Sequence, residues 1–300
     1  MVYNTDMENS EVASEVIRRL NFSKNTVKYI LSTEYQNKLT RKRNETNKER
    51  QELEDFFERT TKEKNRVSLN LPTSESVYRG DWLSQGRTYT CVAFSIANSI
   101  KSLGMEPNIN FIADLLNNTG HDFGDPGMEV ITGISFYEVL ELFQTRQYKD
   151  MNVSIELSSD ENNLSEVSTN PDEAIDQHGD GYEYFIGKKK VTVEEYSKYP
   201  LQDWKEHREE IIRNNAKKIK KTIENKGRYV VGVDVKFYRE GKRVANGGKH
   251  AISIVGCRVS DEGIMDVQVI DSNFGTTWTS LEHLSDSINY MHSIVVKKKK

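Results

Sequence analysis

Cysteine and long apolar runs are scarce in this chain of 300 residues. Its two cysteines are too few for a disulfide-built secreted domain, which favours a reducing compartment. No stretch approaches the roughly 18 consecutive apolar residues of a membrane-spanning helix, and no apolar run near the N-terminus has signal-peptide length. We therefore expect a cytoplasmic protein without a membrane span or a signal peptide.

A strong excess of either charge is also missing. The formal net charge is −4, which gives no support for a nucleic-acid partner. The chain has a cluster of metal-ligating residue types at His121, Asp122, Asp125 and Glu129, but their spacing fits no common calcium or zinc loop. A glycine-rich phosphate-binding loop is not found either. We therefore expect neither a metal nor a cofactor.

Composition divides the chain near residue 70. Residues 1–70 are dense in charged side chains, and no apolar residue lies between Thr40 and Glu52. Such a segment is typical of an exposed helical extension that buries little. Leu71-Pro72 then marks the boundary to a second region, 71–300, because proline ends helices. We interpret the extension as a solvated helical segment, with a pro-segment or a docking arm as the alternatives.

Helical periodicity dominates the first part of the second region, and strand alternation dominates the last part. Apolar residues at helical spacing predict helices at 91–103, 111–116, 135–143 and 204–224. Alternating residues predict strands at 229–235, 250–255, 265–270 and 293–296. This order favours an α+β fold with antiparallel strands and segregated halves.

Cys91, at the start of the first of these helices, is the residue with the clearest chemical potential. A helix N-terminus carries partial positive charge and lowers the pKa of a thiol. Gln85 lies six residues upstream, so its side-chain amide and the Cys91 backbone N–H can both donate to an oxyanion. A lone cysteine before an apolar helix is usually a packed core residue, so the interpretation depends on a base elsewhere.

Two downstream residues supply the partners that a cysteine nucleophile needs. His250 follows a glycine-rich turn at the start of an apolar strand and is the candidate base. Asp271 follows the next apolar strand and is the candidate that orients the imidazole. Each residue alone also fits a structural role, at a strand edge or in a turn. Their order after Cys91, each at an element end, favours a catalytic set, whereas Cys257 lies inside a strand and is interpreted as core.

Three motifs and one glycine resemble papain-like cysteine peptidases. Residues 85–95 contain a glutamine and then a cysteine followed by Ala-Phe-Ser, as in the signature of that family. Residues 249–256 are similar to its His-Ala-hydrophobic-Val-Gly block, and 271–278 loosely resemble its Asn-Ser-Trp-Gly-Thr-x-Trp block. Gly133, before a helix, resembles the glycine that pairs with substrate backbone. The resemblance covers about residues 72–296.

The resemblance implies a papain-like two-lobed fold, with a helical lobe and an antiparallel β lobe around a cleft. It implies that Cys91 is the nucleophile, His250 the base and then the acid, and Asp271 the residue that orients His250. Gln85 would complete the oxyanion hole, and Gly133 would bind substrate.

The departures from the family pattern narrow the expectation. Thr90 precedes Cys91, the turn before Cys91 contains no second cysteine, and Val92 replaces the usual tryptophan. Asp271 stands where papain has asparagine and lies one residue further upstream of the following glycine, so Asn273 is the fallback third member. These features favour divergent bacterial members with a Cys-His-Asp triad, some of which are toxins or effectors delivered into a host cytosol.

The expected function is that of a cysteine peptidase, which cleaves peptide or isopeptide bonds of a protein or peptide substrate through a Cys91 thioester. Two alternatives stay open. An acyltransferase or transglutaminase would use the same triad with an amine as acceptor. A catalytically degenerate papain-like module would instead serve for binding, with residues 1–70 making an intramolecular or partner contact.

Overall fold

The structure of the chain is a computed structural model, which describes residues 24–37, 47–64, 66–85, 90–117, 135–145, 148, 151–159, 161, 163–165, 167, 184–186, 189–191, 201–241, 249–289 and 292–299. Its main helices are α1 (Lys24–Ile30), α2 (Asn47–Thr61), α3 (Cys91–Ser102), α4 (Ile109–Asn117), α5 (Phe136–Phe143), α6 (Leu201–Glu224), α7 (Val235–Glu240) and α8 (Leu281–Ser287). Its strands are β1 (Ser74–Ser76), β2 (Val153–Leu157), β3 (Tyr184–Ile186), β4 (Lys189–Val191), β5 (Gly227–Asp234), β6 (Lys249–Val259), β7 (Met265–Asp271), β8 (Gly275–Ser280) and β9 (Ile294–Lys298).

An antiparallel sheet of seven strands carries the fold. Six strands follow the order β2-β9-β5-β6-β7-β8, and β1 joins the C-terminal half of β6; β3 and β4 pair separately. The pairing of β6 with β7 is irregular between Ile254 and Gly256, where β6 passes from pairing with β5 to pairing with β1. An irregularity of this kind bends a strand locally, which allows the change of partner. The expected α+β class with an antiparallel sheet is confirmed.

Helices cover both faces of this sheet. Val230 of β5 packs in a hydrophobic cluster with α3, α4 and α5, whereas its neighbours Tyr229 and Val231 pack in a second cluster with α2, α6 and α8. On β6, Ala251 and Ile252 are divided between the clusters in the same way. Because successive strand residues point to opposite faces, a sheet covered on both sides needs nearly continuous apolar strands. The core therefore consists of two clusters separated by one sheet.

The four predicted helices and four predicted strands are present, with ends that differ by a few residues. The structure adds α7, α8, β1, β2, β3, β4 and β8, which the sequence patterns did not predict. Helices α7 and α8 have six and seven residues, fewer than the three turns over which a periodic apolar stripe becomes visible. No helix in the described ranges has the length and apolar character to cross a bilayer.

The described part of residues 1–70 packs into the core. Leu53 and Phe57 of α2 are buried in the cluster with α6 and α8, and Val27 of α1 is buried in the other cluster. The charged extension therefore buries these apolar residues, while Glu52, Asp55 and Glu58 of α2 stay exposed. Spacing of four places Leu53 and Phe57 on one face, and one such stripe is enough to dock a charged helix. The interpretation of the segment as a pro-segment or docking arm stays a prediction.

Candidate active site

Cys91 is the first residue of α3, and this helix is attached to the strand that carries His250. The Ser95 hydroxyl donates to the carbonyl of Ala251 at 2.8 Å, and the Ser253 hydroxyl donates to the carbonyl of Ser95 at 2.7 Å. These side chains are fully buried, so both bonds lie away from water. Two bonds between the same turn of α3 and the same stretch of β6 fix the position of the helix along the strand. They bring the start of α3 to the start of β6.

His250 and Asp271 meet at the ends of neighbouring strands. Nε2 of His250 lies 2.9 Å from Oδ1 of Asp271. Oδ1 of Asp271 also accepts a hydrogen bond from the Asn273 backbone N–H at 2.8 Å, and Oδ2 accepts one from Nη2 of Arg239 at 3.1 Å. The Asp271 side chain is 1% exposed, and a charge so buried is tolerated only when it is paired and hydrogen-bonded. Three donors meet that requirement here.

The thiol of Cys91 completes a hydrogen-bonded series with these two residues. Its side chain lies close enough to the side chain of His250 for the two to interact as a hydrogen-bonding pair. Because Nε2 of the ring is engaged by Asp271, we assign the bond with sulfur to Nδ1. The series Cys91–His250–Asp271 therefore has the connectivity of a nucleophile, a base and the group that orients the base.

The electrostatics of this series favour a thiolate paired with an imidazolium. Burial works against ionisation of the thiol, but the hydrogen bond and charge of His250 outweigh it and hold the pKa of Cys91 below its ordinary value. Burial likewise works against the imidazolium, yet Asp271 and Cys91 raise the pKa of His250 from 6.5 to about 9. Between the pKa of Cys91 and about pH 9, both groups are charged.

The carboxylate of Asp271 is ionised throughout that range. Burial alone would raise the pKa of Asp271, but the charges of His250 and Arg239 and the hydrogen bonds from His250 and Asn273 hold this pKa well below its usual range. Its negative charge has two opposed effects, because it stabilises the His250 imidazolium and disfavours the Cys91 thiolate. The site therefore contains two negative and two positive groups in contact.

Gln85 is held beside the end of β7 by Ser272, the residue after Asp271. The Gln85 backbone N–H donates to the carbonyl of Ser272 at 3.0 Å, and the Ser272 hydroxyl donates to Oε1 of Gln85. Because Oε1 accepts this bond, the amide is oriented with Nε2 as its donor end. An amide fixed in this way is suited to donate to an oxyanion.

The two residues before Gln85 are held by side-chain amides from distant parts of the chain. The Leu83 backbone N–H donates to Oδ1 of Asn98 in α3 at 2.6 Å, and Nδ2 of Asn98 donates back to the Leu83 carbonyl at 2.9 Å. The Ser84 backbone N–H donates to Oε1 of Gln36 at 2.6 Å. Asn98 therefore ties this segment to the helix of the nucleophile, and Gln36 ties it to the N-terminal extension.

A second candidate donor lies at the N-terminus of α3, the backbone N–H of Cys91. The first N–H groups of a helix have no acceptor within the helix, and the side chain of Thr90 makes no capping hydrogen bond to them. The positive end of the helix dipole also lies at Cys91. Negative charge that develops on an oxygen beside the Cys91 N–H is stabilised by both effects.

The structure brings Cys91, His250 and Asp271 together, and Ser272 attaches Gln85 to the same corner. Asn273, the fallback third member, contributes its backbone N–H to Asp271, while the partner of His250 is Asp271 itself. Gly133 lies outside the described residues.

Sequence reasoning missed the residues that support this set. Ser95 belongs to the Ala-Phe-Ser motif, but its pairing with Ser253 requires knowledge of which strand contacts α3. Arg239 lies in a short helix that the sequence patterns did not predict. The signals that mark this helix are Asp234 at its start, whose side chain accepts from the Phe237 N–H, and Gly241 at its end.

Comparison with known proteins gives the chain no family. No protein-family model matches the sequence, and no curated protein matches it. The resemblance to papain-like peptidases therefore stays a prediction from the three motifs and the glycine.

Proposed function

We propose that the chain is a papain-like cysteine peptidase that cleaves a peptide or isopeptide bond through a thioester on Cys91. The observation that carries the proposal is the hydrogen-bonded series Cys91–His250–Asp271 at a helix N-terminus. A core cysteine has the opposite electrostatics, as in Cys257, where burial raises the pKa to about 11. The lowered pKa of Cys91 supports a working nucleophile over a degenerate binding module.

The first half of the reaction forms the thioester. The Cys91 thiolate attacks the carbonyl carbon, and the electron pair of the C=O bond moves onto oxygen, which accepts from the Cys91 N–H and from Nε2 of Gln85. Collapse of this tetrahedral species breaks the C–N bond. The leaving amine takes the proton from Nδ1 of the His250 imidazolium, so His250 acts first as an acid.

The second half returns the enzyme to its starting state. Neutral His250 takes a proton from water as the hydroxide oxygen attacks the thioester carbonyl, and the same two donors receive the oxyanion. Collapse breaks the C–S bond and releases a carboxylic acid. The thiolate and the imidazolium are then restored, with Asp271 holding the ring in place throughout.

The two-lobed arrangement of the family is part of the proposal. It is supported by the origins of the site residues, since the nucleophile lies on a helix and its two partners lie on strands. The mechanism also requires that the Cys91 sulfur is reduced, because an oxidised sulfur cannot act as the nucleophile, and a bacterial or host cytosol would keep it so. Both cysteines of the chain are free thiols.

Labelling with a peptidyl vinyl sulfone, an electrophile that captures reactive cysteines, tests the proposal. The wild-type chain and Cys257→Ala should be labelled, and Cys91→Ala should not. Mass spectrometry of peptides incubated with the unlabelled wild-type protein then identifies the cleaved bond. Persistent labelling of Cys91→Ala, or no cleavage across a diverse peptide library by a folded protein, contradicts the proposal. A product that carries an added primary amine would instead identify acyl transfer.

A further inference from the structure

Arg239 occupies a defined position next to the site because its short helix is fixed at both ends. The side chain of Asp234, the N-cap of α7, accepts from the Phe237 N–H at 2.9 Å. At the other end Gly241 adopts a left-handed conformation, with φ 67°, and its N–H donates to the Phe237 carbonyl at 2.8 Å. Helix α7 also continues directly from β5, the strand paired with the start of β6 at Val233 and His250. Arg239 is thus placed relative to the strand of His250.

The guanidinium of Arg239 is held between Asp271 and Phe274. Nη2 donates to Oδ2 of Asp271 at 3.1 Å, and Cζ lies 4.4 Å from the centre of the Phe274 ring. Phe274 belongs to the turn after β7, and its N–H donates to the Asp271 carbonyl at 3.0 Å. The same turn therefore supplies the carboxylate and the aromatic face that hold Arg239. Only 22% of the Arg239 side chain is exposed.

The four charged groups alternate in sign along one line of contacts. Cys91 is negative, His250 positive, Asp271 negative and Arg239 positive, so the set is neutral as a whole. Without Arg239 it would hold a net negative charge in a buried site, which opposes formation of the thiolate. Among the described residues, Tyr238 is a further titratable group near Asp271; burial and the charge of Asp271 raise the pKa of Tyr238 well above its ordinary value, so it stays neutral.

We propose that Arg239 is a positioning residue of the catalytic set, which fixes the Asp271 carboxylate on its second oxygen and balances its charge so that thiolate and imidazolium coexist. The role of the set as catalytic rests on the function proposed above. Arg239 acts through Asp271 and has no contact with the reacting atoms in this scheme.

The variant Arg239→Met removes the cation and keeps much of the apolar stem that lies on Phe274. Loss of a positive charge makes every nearby proton harder to release, so the pKa values of Cys91 and His250 should both rise. We expect the midpoint for formation of the reactive thiolate to move upward by roughly one pH unit. Arg239→Lys keeps the charge and should return the midpoint close to the wild-type value.

The readout is the rate of Cys91 alkylation by iodoacetamide between about pH 4 and 10, in a Cys257→Ala background. Arg208→Met is the matched control, because Arg208 is also 22% exposed and pairs with Asp286 at 2.6 Å. It should lower the melting temperature without moving the alkylation midpoint. An unchanged midpoint in folded Arg239→Met overturns the inference. If that variant does not fold, Arg239→Gln removes the charge while keeping a donor for Asp271, and the same criterion applies.

Alkylation and probe labelling separate this inference from the proposed function. Iodoacetamide needs no substrate site, so its pH profile reports the coupling of Arg239 to Cys91 directly. If the vinyl sulfone does not label Cys91 but the midpoint shifts, the peptidase proposal fails and the coupling stands. If labelling succeeds and the midpoints coincide, the inference about Arg239 fails alone.

Discussion

Replacement of Asp271 by asparagine removes the buried negative charge at the centre of the site. A carbonyl oxygen at the Oδ1 position can still accept from His250 and from the Asn273 N–H. The amide NH₂ then faces the Arg239 guanidinium, which donates to Oδ2 in the wild type. The variant therefore keeps the orientation of the imidazole but leaves a partly buried cation without its counter-charge.

The structure sets the size of the effect on His250. Its pKa of about 9, against an ordinary value of 6.5, corresponds to about 3 kcal/mol in favour of the imidazolium. Burial opposes that charge and Asp271 is the largest influence that favours it, so without the carboxylate the pKa of His250 should fall, although Cys91 still raises it. Asp271 also disfavours the Cys91 thiolate, and relief of that repulsion offsets part of the loss. We expect thiolate reactivity near neutral pH to fall by roughly ten- to a hundredfold.

Two measurements check this expectation without any knowledge of the substrate. Iodoacetamide alkylation of Cys91 at neutral pH gives the loss of thiolate, again in a Cys257→Ala background. NMR titration of the His250 ring proton gives its pKa directly. Asp286→Asn, which breaks the ion pair with Arg208, is the control and should leave both values unchanged. A folded Asp271→Asn protein with wild-type alkylation and a His250 pKa near 9 refutes the reasoning.

Two further predictions concern the support of the site. A chain that starts at Leu71 lacks α1, α2 and Arg66, which donates to Asp266 at 2.8 Å and to Glu282 at 2.9 Å. Two largely buried carboxylates then lose this cation, so we expect loss of the cooperative thermal transition by circular dichroism. A folded, more active product would instead identify a pro-segment. Ser253→Ala removes one of the two buried bonds between β6 and α3, and denaturant unfolding should report a loss of about 1–3 kcal/mol. A stability equal to that of the wild type would mean that this bond does not hold the helix.

The members of the series could be predicted because each lies at the end of an element that its own neighbours reveal. Cys91 starts a periodic apolar helix, and His250 and Asp271 begin and end apolar strands. Their convergence could not be read from spacing, since it depends on the order of strands in the sheet and on the bonds between α3 and β6. The choice between Asp271 and Asn273, which lie two residues apart, was likewise left open by the loose third motif.

The supporting residues were harder to predict for a different reason. Arg239 lies in a helix of six residues, in which caps rather than periodicity carry the signal. Gln36 lies 48 residues before the residue that it holds, Ser84, and such a contact leaves no local pattern. In each case tertiary contacts decide what the local sequence leaves undetermined.

In the proposed site, the carboxylate of Asp271 in place of a neutral amide accounts for the arginine beside it. A neutral amide can orient an imidazole without placing a second negative charge near the thiolate. A carboxylate raises the pKa of His250 further but disfavours the thiolate of Cys91. By the inference above, the charge of Arg239 offsets that second effect. The two differences therefore belong together. The double variant Asp271→Asn, Arg239→Met again has no net charge beside Cys91 and His250. It should therefore be more stable than Asp271→Asn alone, so the effects of the two substitutions on stability are non-additive. Additive losses of stability and of Cys91 reactivity in the double variant would mean that the two side chains act independently.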